Sequence, residues 1–159
     1  MVMEVASFSE IEAEFIERVY THVWCNVATV DSLCRPRSRI MHPIWEGPVG
    51  WITTRRNSFK ERHLSRNPYV SLAYIQDIFK PVYVDARVAW VEDREQKLRI
   101  WNLFKDTPPP MGFDPAVEYG SPDSETYGLL RVYPLRITLV NFPAPSIDAG
   151  QRIWRCEEE

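Results

Sequence analysis

Glycine is scarce in this sequence, with six in 159 residues. The six stand apart, at Gly47, Gly50, Gly112, Gly120, Gly128 and Gly150, and no GxGxxG, Walker A loop or GxSxG can be drawn through them. Dinucleotide-binding Rossmann domains, P-loop enzymes and α/β-hydrolases need glycine where backbone turns sharply or meets a phosphate, so all three lose their main support. Cysteine is equally sparse. Cys25, Cys34 and Cys156 form an odd set without a CxxC, as expected in a reducing, cytoplasmic setting. There are three histidines and no HExxH, and a spacing of three on a strand would point His22 and Cys25 to opposite faces. No metal site is expected. No apolar run is long enough for a membrane span. The opening MVMEVASFSEIEAEF lacks the apolar heart of a secretion signal. An excess of positive charge is missing too: Lys and Arg number 19 against 22 Asp and Glu, for a net charge of −3. That argues against nucleic acid or a membrane surface as general partners, while leaving room for a local basic patch.

What is present is a 45% hydrophobic, 26% charged chain, suited to one globular domain over 1–159. Ser9-x-x-Glu12 reads as a capping box, and Ile11, Phe15 and Val19 give an amphipathic helix ending near Tyr20. The period then shifts to two. Strands are expected at 22–31, 35–45, 49–54, 69–76, 81–91 and 127–142, with Pro134 marking a bulge or an edge. The alternation is clearest in the fifth, where Val82, Val84, Ala86, Val88 and Trp90 share one face. Ser58-x-x-Glu61 and Asp93-x-x-Gln96 open two further helices, the second with Leu98, Trp101 and Phe104 inward. The proline-rich stretch 106–124 is too long for a simple connector and suggests a functional or dimer-covering loop. A tail follows at 143–159. The fold class expected is mainly β (α+β): a six-stranded antiparallel sheet, closed or partly closed into a barrel, with peripheral helices.

Two segments carry chemistry. In Arg35-Pro36-Arg37-Ser38-Arg39 the three guanidiniums share one strand face, so they either line a solvated edge or answer an anion. In the segment from Trp51 to Lys60 a strand runs straight into a helix start, where free N–H groups, the Ser58 hydroxyl and the Lys60 ammonium would suit a phosphate. Together they suggest a phosphorylated ligand held between the second strand and the corner after the third.

The run RPRSRIMHPIWEGPVGWITTRRNSFKERHLSRNPYVSLAYIQD resembles the FMN-binding split β-barrel of the pyridoxamine 5′-phosphate oxidase-like superfamily. The resemblance rests on Pro36, Arg39, Thr54, Ser58, Lys60, Leu64, Asn67, Pro68, Val70 and Leu72. Trp101, Gly112-Phe113-Asp114-Pro115 and the last strand through Val132 and Pro134 are similar to the general-stress-protein-like branch. The likeness spans about residues 9–142. It implies a homodimer with FMN at the subunit interface. Arg37, Ser38, Arg39 and Ile40 would lie along the flavin ring and ribityl chain, Thr53 and Thr54 near ring and phosphate, and Ser58 and Lys60 at the phosphate, within reach of Arg37 or Arg39. Phe59, Pro81 and Val140 depart from the pattern, and the arginine-rich C-terminal signature of the vitamin B6 oxidases is absent. The function implied is an FMN-dependent oxidoreductase with a small-molecule redox substrate. The alternatives are a non-enzymatic flavin-binding stress protein and a deazaflavin-dependent reductase.

Overall fold

The computed structural model describes residues 1–143 and 150–156. Nine strands form one sheet system: β1 (Val2–Val5), β2 (Cys25–Val30), β3 (Pro36–Met41), β4 (Pro43–Glu46), β5 (Val49–Arg55), β6 (Tyr69–Tyr74), β7 (Val82–Trp90), β8 (Tyr127–Asn141) and β9 (Gly150–Arg155). The helices are α1 (Glu12–His22), α2 (Phe59–Arg66), α3 (Arg94–Asp106) and α4 (Ala116–Tyr119). The fold is mainly β, as expected, and the six expected strands are all present.

Three details differ. The second expected strand is two strands, because the chain changes partner at His42: Met41 pairs with Cys25 of β2, and Pro43 pairs with Ile52 of β5. Pro43 has no N–H to give a ladder, and it stands at the first position of β4, where that loss is tolerated. The expected tail holds a strand. Within 143–159, residues 144–149 and 157–159 lie outside the described residues, but Gly150–Arg155 pairs with β8 and carries β1 in parallel. The sheet is therefore mixed. Finally, Ser9 and Glu12 do not form the first capping box. The Ser7 N–H donates to the Glu10 carboxylate at 2.9 Å instead, and α1 begins at Glu12.

The ladder order β1-β9-β8-β7-β6-β2-β3 leaves β4 and β5 joined to it through β8. β8 pairs with β7 along most of its length, with β5 up to Val132 and with β9 from Arg136. Pro134 falls in the gap between those last two partners and pairs with Ala86 of β7, where the register shifts. Between β3 and β4 the ring is closed by the chain itself at His42, not by a ladder.

Two apolar clusters hold this arrangement. One fills the barrel, with Phe15 of α1 edge-on to Trp45 at 5.0 Å and Trp45 Nε1 donating to Tyr74 at 2.9 Å. The buried face of β7 is the one that its alternation marks. The other lies under α3 and joins Ile44, Ile100, Trp101, Phe104 and Tyr127. Ile100 rather than Leu98 faces this core; Leu98 is exposed. Each such side chain contributes about 1.5–3 kcal/mol when fully buried. Arg18 is buried as well, since it donates to the Val140 carbonyl at 2.9 Å and to Asn141 at 2.7 Å and pairs with Glu14.

Candidate functional site

The β3 strand, the β5–α2 corner and the 107–120 segment enclose a cavity of about 700 Å³. Of the eight residues expected at a ligand site, Arg39, Ile40, Thr53, Thr54, Ser58 and Lys60 line it. Arg37 and Ser38 do not. Arg37 is exposed and turns to Asp31, at 3.3 Å, which Arg35 also contacts at 2.9 Å.

The geometry at the α2 end is built from the backbone outward. Asn57 adopts φ 58°, a conformation that asparagine tolerates better than most residues, and Ser58 caps the helix in extended conformation. Glu61 reaches back to the Asn57 N–H at 2.6 Å and to Arg56 at 3.2 Å. The Ser58 hydroxyl therefore takes no part in a capping box; its oxygen is buried and, among the described residues, has no hydrogen-bond partner. A buried hydroxyl without a partner is costly, and here it lies at a helix N-terminus, where free N–H groups attract anions.

Two cations face the same space. Lys60 contacts the hydroxyl of buried Thr54, and burial together with the nearby Arg39 charge pushes its ammonium down to about 8. Arg39 donates to Thr29 at 2.8 Å, and the Thr29 hydroxyl lies 2.9 Å from His63 Nδ1 on α2. Arg39 too is shifted downward, by burial. Among the described residues neither cation forms an ion pair with a carboxylate. Two like charges held half-buried without an acid call for an anion.

The rest of the cavity is aromatic. Trp24, His42 and Phe113 follow one another at centroid distances of 4.7 Å and 5.2 Å. Burial lowers the His42 pKa, opposed by a hydrogen bond with the Met111 backbone, while its Nε2 is buried without a partner among the described residues. Tyr119 is pushed up by burial, opposed by a hydrogen bond with Thr53. Gly112 sets Phe113 in place: a Cβ there would stand 1.6 Å from the Thr107 carbonyl oxygen. The Phe113 N–H donates to the Phe104 carbonyl at 2.9 Å. The expectation of a functional role for the proline-rich loop fits this wall, since Pro110, Phe113, Asp114, Val117, Glu118 and Tyr119 all line the cavity. Trp101 does not; it packs edge-on to Tyr127 at 5.0 Å in the second core. Sequence reasoning missed Trp24 and His42. The only signal was the Pro43 that follows His42, which marks the change of partner.

The sequence matches no family model and no curated protein. Solved structures do match. A Clostridium acetobutylicum protein related to general stress protein 26, of the pyridoxinephosphate oxidase family, superimposes with a TM-score of 0.73 at 14% identity, over 94% of this chain and 96% of that one. The fold is that of the pyridoxamine 5′-phosphate oxidase-like proteins. A pyridoxamine 5′-phosphate oxidase-related, FMN binding protein from Nostoc punctiforme has this fold too, with a TM-score of 0.63 at 16% identity over 89% and 87%. So does HutZ, the heme storage protein of Vibrio cholerae, with a TM-score of 0.63 at 22% identity over 78% and 89%. At these identities the oxidase-like likeness is one of architecture, and the ligand must be argued from this chain's own side chains.

Proposed function

We propose that the chain is an FMN-binding oxidoreductase-like protein. It acts as a cytoplasmic homodimer, each 1–159 domain taking a small-molecule redox substrate beside the flavin. The observation that carries this reading is the cationic corner. Among the described residues, Arg39 and Lys60 stand without an acid partner, and the buried Ser58 hydroxyl without any, at the mouth of α2. A phosphate monoester supplies what each lacks: negative charge for the two cations and an acceptor for the hydroxyl. The aromatic remainder of the cavity suits a flat ring at the other end of the same ligand.

On this reading Lys60, Arg39 and Ser58 hold the phosphate, and Thr54 orients the Lys60 ammonium. Thr53 and Ile40 border the ring. When bound, FMN supplies the redox chemistry by exchanging a hydride. The protein's part is alignment and exclusion of water, so no acid or base need be assigned. The compact corner favours a terminal phosphate over the longer tail of a deazaflavin.

The test is a titration of purified protein with FMN and riboflavin, with mass spectrometry of any ligand carried through purification. FMN is expected to bind at least about tenfold tighter than riboflavin, since a charge-assisted hydrogen bond contributes that much or more. Equal affinity for the two would remove the phosphate assignment. Bleaching of bound flavin by a reduced nicotinamide in turnover would separate an oxidoreductase from a flavin binder.

A further inference from the structure

Arg39 stays where electrostatics alone would not keep it. Its strand-mate Arg37, two residues back on the same face, swings out to Asp31 and lies outside the cavity. Arg39 has no acid to draw it inward among the described residues, and the nearby Lys60 ammonium repels it. It nevertheless remains half-buried in the cavity wall. The tether is the Thr29 hydroxyl of β2, to which Arg39 Nη1 donates at 2.8 Å. Thr29 stands opposite Arg37 in the β2–β3 ladder, so Arg39 reaches it diagonally.

The hydroxyl proton leads one residue further. A guanidinium only donates, so the Thr29 oxygen is the acceptor and the hydroxyl has one proton left to give. Thr29 is 1% exposed, out of reach of bulk water. His63 Nδ1 lies 2.9 Å from the same oxygen, and the hydroxyl has no third partner among the described residues. Nδ1 is therefore the acceptor, and the neutral imidazole carries its proton on Nε2. His63 follows Lys60 by three positions on α2, so the two share one face of that helix. Buried Leu64, next to His63, anchors the helix in the barrel core. One short helix thus holds both cations of the corner, Lys60 on its own backbone and Arg39 through Thr29.

We infer that His63 is a positioning residue of the anion site. By taking the Thr29 proton it fixes that hydroxyl as an acceptor, and so keeps the Arg39 guanidinium in the corner against the charge of Lys60. The inference rests on the flavin reading only for the identity of the anion.

The test is calorimetry of the full chain with FMN, riboflavin and inorganic phosphate. His63→Leu and Thr29→Val should each weaken FMN and phosphate by about threefold to tenfold, the worth of one hydrogen bond, and leave riboflavin unchanged. His63→Asn should recover most of the loss, because its amide oxygen stands near the place of Nδ1. Combined with Arg39→Gln, His63→Leu should cost nothing further, since its effect passes through Arg39. Nitrogen NMR of the unmodified protein should show neutral His63 protonated on Nε2, a measurement that needs no variant to fold. Unchanged anion binding in His63→Leu, no recovery in His63→Asn, an undiminished loss beside Arg39→Gln, or the Nδ1-protonated tautomer would each overturn the role. So would riboflavin weakened as much as FMN, which would make His63 a support of the fold. Wild-type protein that binds FMN no tighter than riboflavin, yet binds phosphate with the same His63 dependence, keeps the positioning role and removes the flavin reading. Binding of neither FMN nor phosphate removes both.

Discussion

The two ends of the cavity are made in different ways. The cationic corner comes from 22 consecutive positions, Arg39 to Lys60, in which β5 runs directly into α2. Its parts are short-range: Lys60 meets Thr54 six residues back, and Glu61 meets Asn57 four back. The aromatic lip is assembled from three distant segments: Trp24 before β2, His42 between β3 and β4, and Phe113 after α3. Local chemistry therefore builds the charged end, while tertiary packing builds the aromatic end. The first should fail by losing a ligand, the second by losing its shape.

Breaking the charged end has the largest expected effect. Lys60→Ala should cost about 1.5–3 kcal/mol of FMN binding and leave riboflavin nearly untouched. Equal losses for both ligands, measured by fluorescence titration, would make Lys60 a support of the fold. Arg39→Gln should act in the same direction, because its charge faces Lys60. The matching break at the aromatic end is Gly112→Ala. Its Cβ would collide with the Thr107 carbonyl, so the loop must move at a cost of about 1–3 kcal/mol in stability. A lower thermal midpoint with unchanged selectivity between FMN and riboflavin would keep the two ends distinct.

The pH dependence gives a finer comparison. The Lys60 pKa falls to about 8 in the folded protein, below its unfolded value, because burial and Arg39 disfavour the charged form. Between about pH 8 and the ordinary lysine pKa near 10.4, the unfolded chain binds more protons, so this group makes the ligand-free protein more stable as pH rises. Anion binding has the opposite sign. FMN affinity should be highest below pH 8 and fall above it by at most about tenfold per unit, with proton uptake on binding. Calorimetry at pH 8.5 in two buffers of different ionisation enthalpy checks this, and riboflavin should show no such slope. The smallest effect is expected at the rim. Arg55 and Glu118 pair at 2.7 Å in open solvent, and Glu118→Gln should leave the thermal midpoint unchanged.

The same contrast explains how far the sequence could be read. The alternation in β7, the Asp93 cap and the β5–α2 corner were legible because period and capping are local. Six of the eight expected site residues share the cavity for the same reason. Arg37 lies outside the cavity because Asp31 draws it away across the β2–β3 turn, which period alone does not reveal. β1 and β9 escaped notice because their parallel pairing joins residues about 150 positions apart, and Val2 and Met3 remain exposed even when paired. Period alone does not show that Arg18 is buried, because its acceptors, the Val140 carbonyl and the Asn141 side chain, lie 122 and 123 residues away.

The shared strand β8 also sets an order in time. β5 has β4 at once, but neither the second edge of β5 nor that of β7 has its partner until residues 127–141 emerge from the ribosome. Until then the growing chain holds β2, β3, β6 and β7 as a partial sheet whose open edges lie more than 30 residues upstream of their complement. Loop-closure entropy must be met before that pairing is rewarded, which makes assembly slow and leaves strands available to a neighbouring chain. Thr53 and Thr54 pair with Leu129 and Gly128, so the phosphate corner is one of the last features fixed. A ligand recognised there can reward only a chain that has already drawn β8 into the sheet, which makes ligand uptake a report of completed folding.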